Sequence, residues 1–421
     1  MYASPPDNSL NLLDVLGALP QKRPLLHTGN ESLSIADVVA RALALRAAHA
    51  DGGDNVRVLY GLAPLDLLVQ LVAWDGFCRR LVLLPSSLAP HIAMQLSAEL
   101  PPNPDTASTQ WLLATSGTTG LPKLIVHTLA SLSRSLKRDP QAGGNYRWGL
   151  VYDPCRFAGL QVVLQGFFSG SELVLTSPEN FDEQVDTLVA NDINALSATP
   201  TLWRKFVMDG RLSKCPLRQL TLGGEIVDQK LLDHLRRNFP AARITHIYAS
   251  TEAGVGFAVT DGRAGFPLAF VTEGIGCTKL RIDDRGHLWL RPPMSPTIDQ
   301  EGYIDTGDRV EVRGDRVYFL GRYNGVINVG GNKVHPERVE EVLRELPQIL
   351  EVRVSGKKNP LIGELVVADV VPRGAPGDET LRRDILSHCR RHLEPWQVPA
   401  MVRFVPQIGI LPAGKLNRTG A

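Results

Sequence analysis

Ala114-Thr115-Ser116-Gly117-Thr118-Thr119-Gly120-Leu121-Pro122-Lys123 packs four hydroxyls, two glycines and one lysine into ten residues that follow an apolar run. Glycine lets the backbone approach an anion closely, hydroxyls and exposed N–H groups donate to phosphate oxygens, and lysine brings a point charge to the terminal phosphates. The spacing is not that of a Walker loop, in which four residues separate the first glycine from Gly-Lys-Ser/Thr. The stretch therefore predicts a phosphate-holding loop of another design; a plain Ser/Thr/Gly turn is the competing reading.

Outward from this loop, strand and helix signals alternate, which predicts an α/β fold of wound parallel sheets. Before it, Ile35 to Ala50 and Ala63 to Cys78 read as helices, and Val56 to Tyr60 and Arg80 to Leu84 as strands. After it come a strand at Trp148 to Tyr152, a helix at Leu160 to Phe168, a strand at Glu172 to Leu175 and a helix at Phe181 to Ala190. Leu217 to Leu222 runs into Gly223-Gly224-Glu225, and a helix at Asp228 to Phe239 precedes a strand at Arg243 to Ile247. From Gly276 the texture changes to short β segments with turns, predicting a small β subdomain. After Gly321 a compact α+β unit is expected, with helices at Pro336 to Glu345 and Glu379 to His392.

Composition excludes more than it selects. With 45 basic and 44 acidic residues among 421, bulk charge points to neither nucleic acid nor an anionic membrane. The five cysteines lack metal-type spacing, and together with the absence of a signal-peptide pattern they predict a reducing cytoplasm. Leu67 to Leu84 is broken by Gln70, Asp75, Arg79 and Arg80, so no run has the length of a membrane helix. Oligomeric state is not legible.

Four further strings follow the loop: Tyr248-Ala249-Ser250-Thr251-Glu252, Tyr303-Ile304-Asp305-Thr306-Gly307-Asp308, Gly321-Arg322 running on to Gly330-Gly331, and Pro412-Ala413-Gly414-Lys415. In these strings and in their order the chain resembles the AMP-forming adenylating superfamily, which includes acyl-CoA synthetases, firefly luciferases and the adenylation domains of nonribosomal peptide synthetases. The resemblance implies two domains: residues 1–321 would bind ATP and the acid, and residues 322–421 would form a mobile domain carrying the catalytic lysine. It places the hinge at Asn324, where relatives usually carry Asp or Lys; an ordinary turn residue is the alternative. The stretch before the loop is shorter than in typical relatives, which implies a trimmed N-terminal subdomain.

What the resemblance implies for chemistry follows residue by residue. Attack of a carboxylate on the α-phosphate of ATP requires two anions to be aligned and their charge neutralised. Lys415 matches the lysine that contacts both anions. Glu252 matches the glutamate that holds Mg2+, a hard cation suited to oxygen ligands, with the Thr251 hydroxyl beside it. Thr115, Ser116, Gly117, Thr118, Thr119, Gly120 and Lys123 would hold phosphates. Tyr248 would stack on adenine against the Gly223, Gly224, Glu225 turn, with a strand-end aromatic in the core as the alternative, and Ala249 stands where relatives have Gly, narrowing the acyl pocket. Asp308 would accept both ribose hydroxyls and Arg322 would add a contact to the same sugar.

For the acyl pocket the resemblance points to His127, Arg156, Phe157, Gly159, Trp203, Ala249 and Gly254. Arg156 replaces a histidine common in acyl-CoA synthetases and reads either as a partner for a second polar group on the acid or as a surface arginine. His127 reads either as facing the acid or as packing. Asp153 lies off the pattern of the carboxylate that holds an amino acid's amine, which disfavours amino acids, and the short N-terminal part leaves little wall for a long fatty-acid tunnel, so the resemblance implies an aromatic or compact acid. Gly330 and Gly331 either line the path of a pantetheine thiol or form a plain turn. The expected acceptor is coenzyme A; the alternatives are the phosphopantetheine of an acyl carrier protein, an amine, or a relative that has lost catalysis.

Overall fold

A computed structural model describes residues 10–29, 31–49, 55–101, 108–115, 122–176, 180–291, 301–359, 363–374, 377–409 and 415–416. The chain forms two compact units, Met1–Gly224 with Asp233–Gly262, and Glu225–Leu232 with Arg263–Ala421.

The first unit is built on two sheets. One has eight strands in the spatial order Gly254–Val259, Arg243–Ser250, Gln219–Gly223, Ala195–Ala198, Arg147–Leu150, Glu172–Leu175, Pro24–His27 and Ser32–Ser34. Its interior pairs are parallel, and each edge is finished by an antiparallel strand. The other sheet places Val56–Tyr60, Arg80–Leu84 and Gln110–Ala114 in parallel, with Leu124–Thr128 antiparallel at the edge. Arg80–Leu84 is buried along its whole length, as a strand covered on both faces must be.

Helices obey their end signals. Ser34 and Asp37 form a capping box for Ile35–Ala47, and Phe157–Ser169 stops at Gly170, whose φ of 62° is the left-handed conformation glycine tolerates. That helix packs against its surroundings through glycine: a Cβ on Gly159 would lie 2.2 Å from the Asp153 carbonyl oxygen. Leu12, Leu16, Leu68, Trp111, Leu160 and Phe167 belong to one fully buried core that includes residues of both sheets.

The second unit contains an antiparallel sheet ordered Phe266–Pro267, Arg316–Arg322, Ile304–Arg313, His287–Arg291 and Lys279–Ile282. Arg316 is almost wholly buried and donates to the carbonyls of Arg263, Ala264 and Gly265, fastening the start of this unit to its sheet. The remainder is α+β. Ile327–Val329, Asn332–Val334, Ile349–Asn359, Gly363–Pro372 and Met401–Phe404 form a sheet. Pro336–Leu343 and Glu379–His392 cover it through Val339, Leu343, Ile385 and Cys389.

This compact division differs from a split at residues 321 and 322. The region around helix Pro336–Leu343 lies against the end of strand Arg316–Arg322, where a Cβ on Gly321 would meet Glu337 Oε2 at 2.5 Å and His335 Nδ1 at 3.2 Å. Only glycine, at its φ of 128°, fits so close an approach. Among the described residues, no helix is long and apolar enough to cross a membrane.

Candidate active site

Ser116, Gly117, Thr118, Thr119 and Gly120 lie outside the described residues. The residues flanking them do not: Gln110–Ala114 and Leu124–Thr128 pair in antiparallel register up to Ala114 and Leu124. Beyond that pair, the Thr115 N–H donates to the Lys123 carbonyl at 2.9 Å. The two strands thus pair as neighbours in the chain, and the Lys123 side chain is exposed at the end of the pair.

The same strand pair carries His127 to the second motif. Its Nε2 lies 2.8 Å from the Thr251 carbonyl oxygen. A carbonyl can only accept, so Nε2 holds the proton. Burial holds the imidazole below its usual pKa, outweighing the carbonyl bond and the Glu252 charge that favour protonation, so the ring stays neutral. The other ring nitrogen is 3.3 Å from Ser131 Oγ, and Phe157 lies beside the ring at 6.1 Å between centroids. His127 thus packs beside Phe157, a residue expected in the acyl pocket, and fixes the turn that bears Thr251 and Glu252.

That turn joins strands Arg243–Ser250 and Gly254–Val259. Tyr248 is stacked on Phe257 at 5.1 Å with an 18° angle between rings, so one ring face is occupied by protein and the ring is held in orientation. Pairing shifts register between Tyr248 and Ala249, which are opposed by Phe257 and Val255, so the extra residue of the bulge is Gly256 on strand Gly254–Val259. The Ser250 hydroxyl accepts from the Ala253 N–H, Glu252 is exposed, and Gly254 takes a φ of 73°.

Other acyl-pocket expectations separate. Trp203 is fully buried and donates its indole N–H to the Thr221 carbonyl at 2.8 Å, so it serves as packing rather than an open wall. Gly159 is required by the close Asp153 carbonyl. Arg156 donates to Ser87 Oγ at 3.2 Å, while its Nε is buried without a hydrogen-bond partner. Asp153 accepts from the Cys155 N–H at 2.9 Å, and burial raises its carboxyl pKa, so its oxygen serves the local turn.

In the second unit, Asp308 and Arg322 face each other across the paired strands, Nε to Oδ1 3.4 Å, with the Asp308 side chain 15% exposed. Asp308 is further placed by its N–H on the Thr306 hydroxyl. Tyr323, immediately before Asn324, donates to Asp305 at 2.7 Å, a bond that joins two of the sequence motifs and that neither motif signals by itself. Gly330 and Gly331 form a two-residue hairpin turn with φ of 57° and 88°, the paired positive values of a type I′ turn. A Cβ on either would meet nothing within 4 Å, so the turn is open on its outer side. Gly224 has a φ of 80°. Next to it in sequence, Glu225 accepts from the Leu416 N–H at 3.0 Å, and Lys415 is exposed beside that contact. Glu225 and Leu416 belong to the same compact unit.

A wound α/β unit and a β-rich unit bearing these motifs define the adenylating class of enzyme folds. The chain belongs to the AMP-binding enzyme family, whose model matches residues 42–293; the model of that family's C-terminal domain matches residues 338–415. It is 25% identical over 391 residues to the mitochondrial acyl-coenzyme A synthetase ACSM4 of Mus musculus, covering 84% of this chain and 66% of that one. It is 28% identical over 382 residues to the fatty acid–[acyl-carrier-protein] ligase ScoC of Streptomyces coeruleorubidus, covering 80% and 72%. The chain thus spans slightly less than two thirds of the mouse relative's length. The o-succinylbenzoate CoA synthetase of Bacillus subtilis, solved with its acyl-adenylate, superposes with a TM-score of 0.73 at 19% identity over 97% of each chain.

Proposed function

We propose that this protein activates a carboxylic acid with ATP, forming acyl-AMP and releasing pyrophosphate, and then transfers the acyl group to the thiol of coenzyme A with release of AMP. The observation that carries the reading is the Leu416 N–H on Glu225, which brings Lys415 beside a residue of the glycine turn expected to hold the nucleotide. The carboxylate attacks the α-phosphorus, and the bond to pyrophosphate breaks. Lys415 offsets the charge of carboxylate and α-phosphate as they approach. Asp308 accepts the ribose hydroxyls with Arg322 alongside, Tyr248 covers the adenine, and the Thr115–Lys123 loop holds the leaving phosphates. The exposed Glu252 carboxylate and adjacent Thr251 hydroxyl are hard oxygen donors that suit Mg2+, which supplies charge neutralisation at the phosphates when bound.

The acid we propose is aromatic or compact with a polar substituent. Support comes from Phe157 beside His127 and from the unpartnered Nε of Arg156, a donor able to meet such a group. The proposed location is a reducing cytoplasm, in keeping with buried thiols at Cys78, Cys215 and Cys389 whose pKa values burial pushes up to about 11.

Pyrophosphate release with ATP and Mg2+ across aromatic, dicarboxylic, short-chain and long-chain acids, with and without coenzyme A, tests the proposal. Multiple turnover that needs one acid and coenzyme A is the expected result. Acid-dependent release that stalls near one turnover in both conditions would transfer the second step to a carrier protein, as in the ligase activity named for ScoC, or to an amine. Lys415→Ala should lower acyl-AMP formation by ~100-fold or more while ATP still binds; retention within a few-fold removes Lys415 from the chemistry.

A further inference from the structure

His388 and His392 sit one turn apart on helix Glu379–His392, a spacing that puts both imidazoles on one face. Their ring centroids are 4.5 Å apart. Glu345 follows helix Pro336–Leu343 and brings its carboxylate to 3.0 Å from His388 Nε2. One ligand atom from each of the three lies within 4.8 Å of the others, the one such group of His, Cys, Asp and Glu among the described residues. We propose that Glu345, His388 and His392 bind a divalent transition cation of the Zn2+ class, separately from the Mg2+ that serves the phosphates.

The donor set decides the metal class. Two imidazoles and one carboxylate suit Zn2+ and its neighbours, whereas Mg2+ and Ca2+ select all-oxygen cages. With metal–ligand bonds of about 2.0–2.1 Å, tetrahedral donors stand roughly 3.3 Å apart. The Glu345–His388 pair already meets that separation. His392 is exposed at the end of its helix, so turning its ring closes the set.

Both supports are anchored. Ile385 and Cys389 are fully buried under the His388 helix, and Val342 and Leu343 are buried ahead of Glu345, whose N–H donates to the Val342 carbonyl. Nearby guanidinium groups are engaged elsewhere, Arg344 with Glu340 and Arg391 with the Ser387 carbonyl. Three protein ligands leave a fourth position to water, so the ion would be exchangeable and would tie the ends of the two helices together.

The test uses the full chain without a polyhistidine tag, stripped by chelator. Zn2+ is followed by calorimetry, Co2+ by absorption, and unfolding by urea with and without Zn2+. One Zn2+ per chain, a nitrogen and oxygen Co2+ spectrum without a thiolate band, and a higher urea midpoint with Zn2+ are expected. His388→Gln with His392→Gln should weaken binding by about tenfold or more and abolish the midpoint shift. Glu345→Gln, which leaves both rings in place, should weaken binding to a lesser degree. Cooperative unfolding of the metal-free variants keeps loss of binding separate from loss of fold. Undiminished binding in the double variant, thiolate bands from the exposed Cys277, or no stoichiometric binding at all would overturn the assignment.

Discussion

His127 is the residue whose role changed most between sequence and structure. Its Nε2–H holds the Thr251 carbonyl, so it positions the turn that bears Thr251 and Glu252, the residues proposed to serve phosphate and Mg2+. His127→Ala should lower acid-dependent pyrophosphate release by about 5- to 30-fold, the loss of a bond of roughly 1–2 kcal/mol. His127→Gln, which can donate to the same carbonyl, should recover much of it. A change confined to KM for the acid would instead assign the ring to the Phe157 side. Because burial lowers the imidazole pKa from its usual 6.5, the sign of its pH effect is fixed. Its contribution is present above about 6.5 and is lost as pH falls through the lower folded value.

At the scale of elements, Asp75 plays the opposite part. It closes helix Pro64–Trp74, accepts the Leu12 N–H at the start of helix Leu12–Gly17 at 2.9 Å, and accepts the Trp111 indole of strand Gln110–Ala114 at 2.9 Å. Burial pushes its carboxyl up to about 6 despite these two donors. A raised carboxyl contributes stability fully below its unfolded value and loses it as pH rises through about 6. Asp75→Asn removes this titration and adds a pH-independent cost where an amide NH2 faces a donor. Urea unfolding of wild type and variant between about pH 5 and pH 7.5 should show the wild-type advantage shrinking as pH rises, by on the order of 1–3 kcal/mol. A constant difference would mean that Asp75 does not titrate in that window.

For the whole molecule, the proposed second step calls for a pivot, which the family resemblance puts at Asn324. The antiparallel sheet ending at Arg322 and the α+β part after Asn324 belong to one compact unit, touching at Gly321, His335 and Glu337. Rotation at Asn324 would have to part that contact. His335 is suited to parting, since both ring nitrogens are buried without hydrogen-bond partners. Asn324 lies in the short helical turn Tyr323–Gly325, a conformation proline accepts while removing the freedom a pivot needs. Asn324→Pro should leave acyl-AMP formation within a few-fold and slow thioester formation by about tenfold or more, measured by single-turnover quench. Equal loss of both steps would place the pivot elsewhere.

The alternating elements were legible because their signals are local. Helix Glu379–His392 begins after the capping Asp378 and ends in Arg390, Arg391 and His392, which favour the negative end of a helix dipole. The strand Arg80–Leu84 is a continuous apolar run. The motifs were legible for the same reason: a loop that holds phosphate needs its glycines, hydroxyls and lysine close together in sequence. Partnerships across long separations were not. His127 meets a carbonyl 124 residues away, Leu416 reaches Glu225 across 191, and Glu345 finds His388 across 43. Trp203 read as a pocket wall because aromatic character is the same in a wall and in a core; only packing buried it. Local chemistry and periodicity are written in neighbouring residues, whereas burial and long-range contact exist only once the chain has folded.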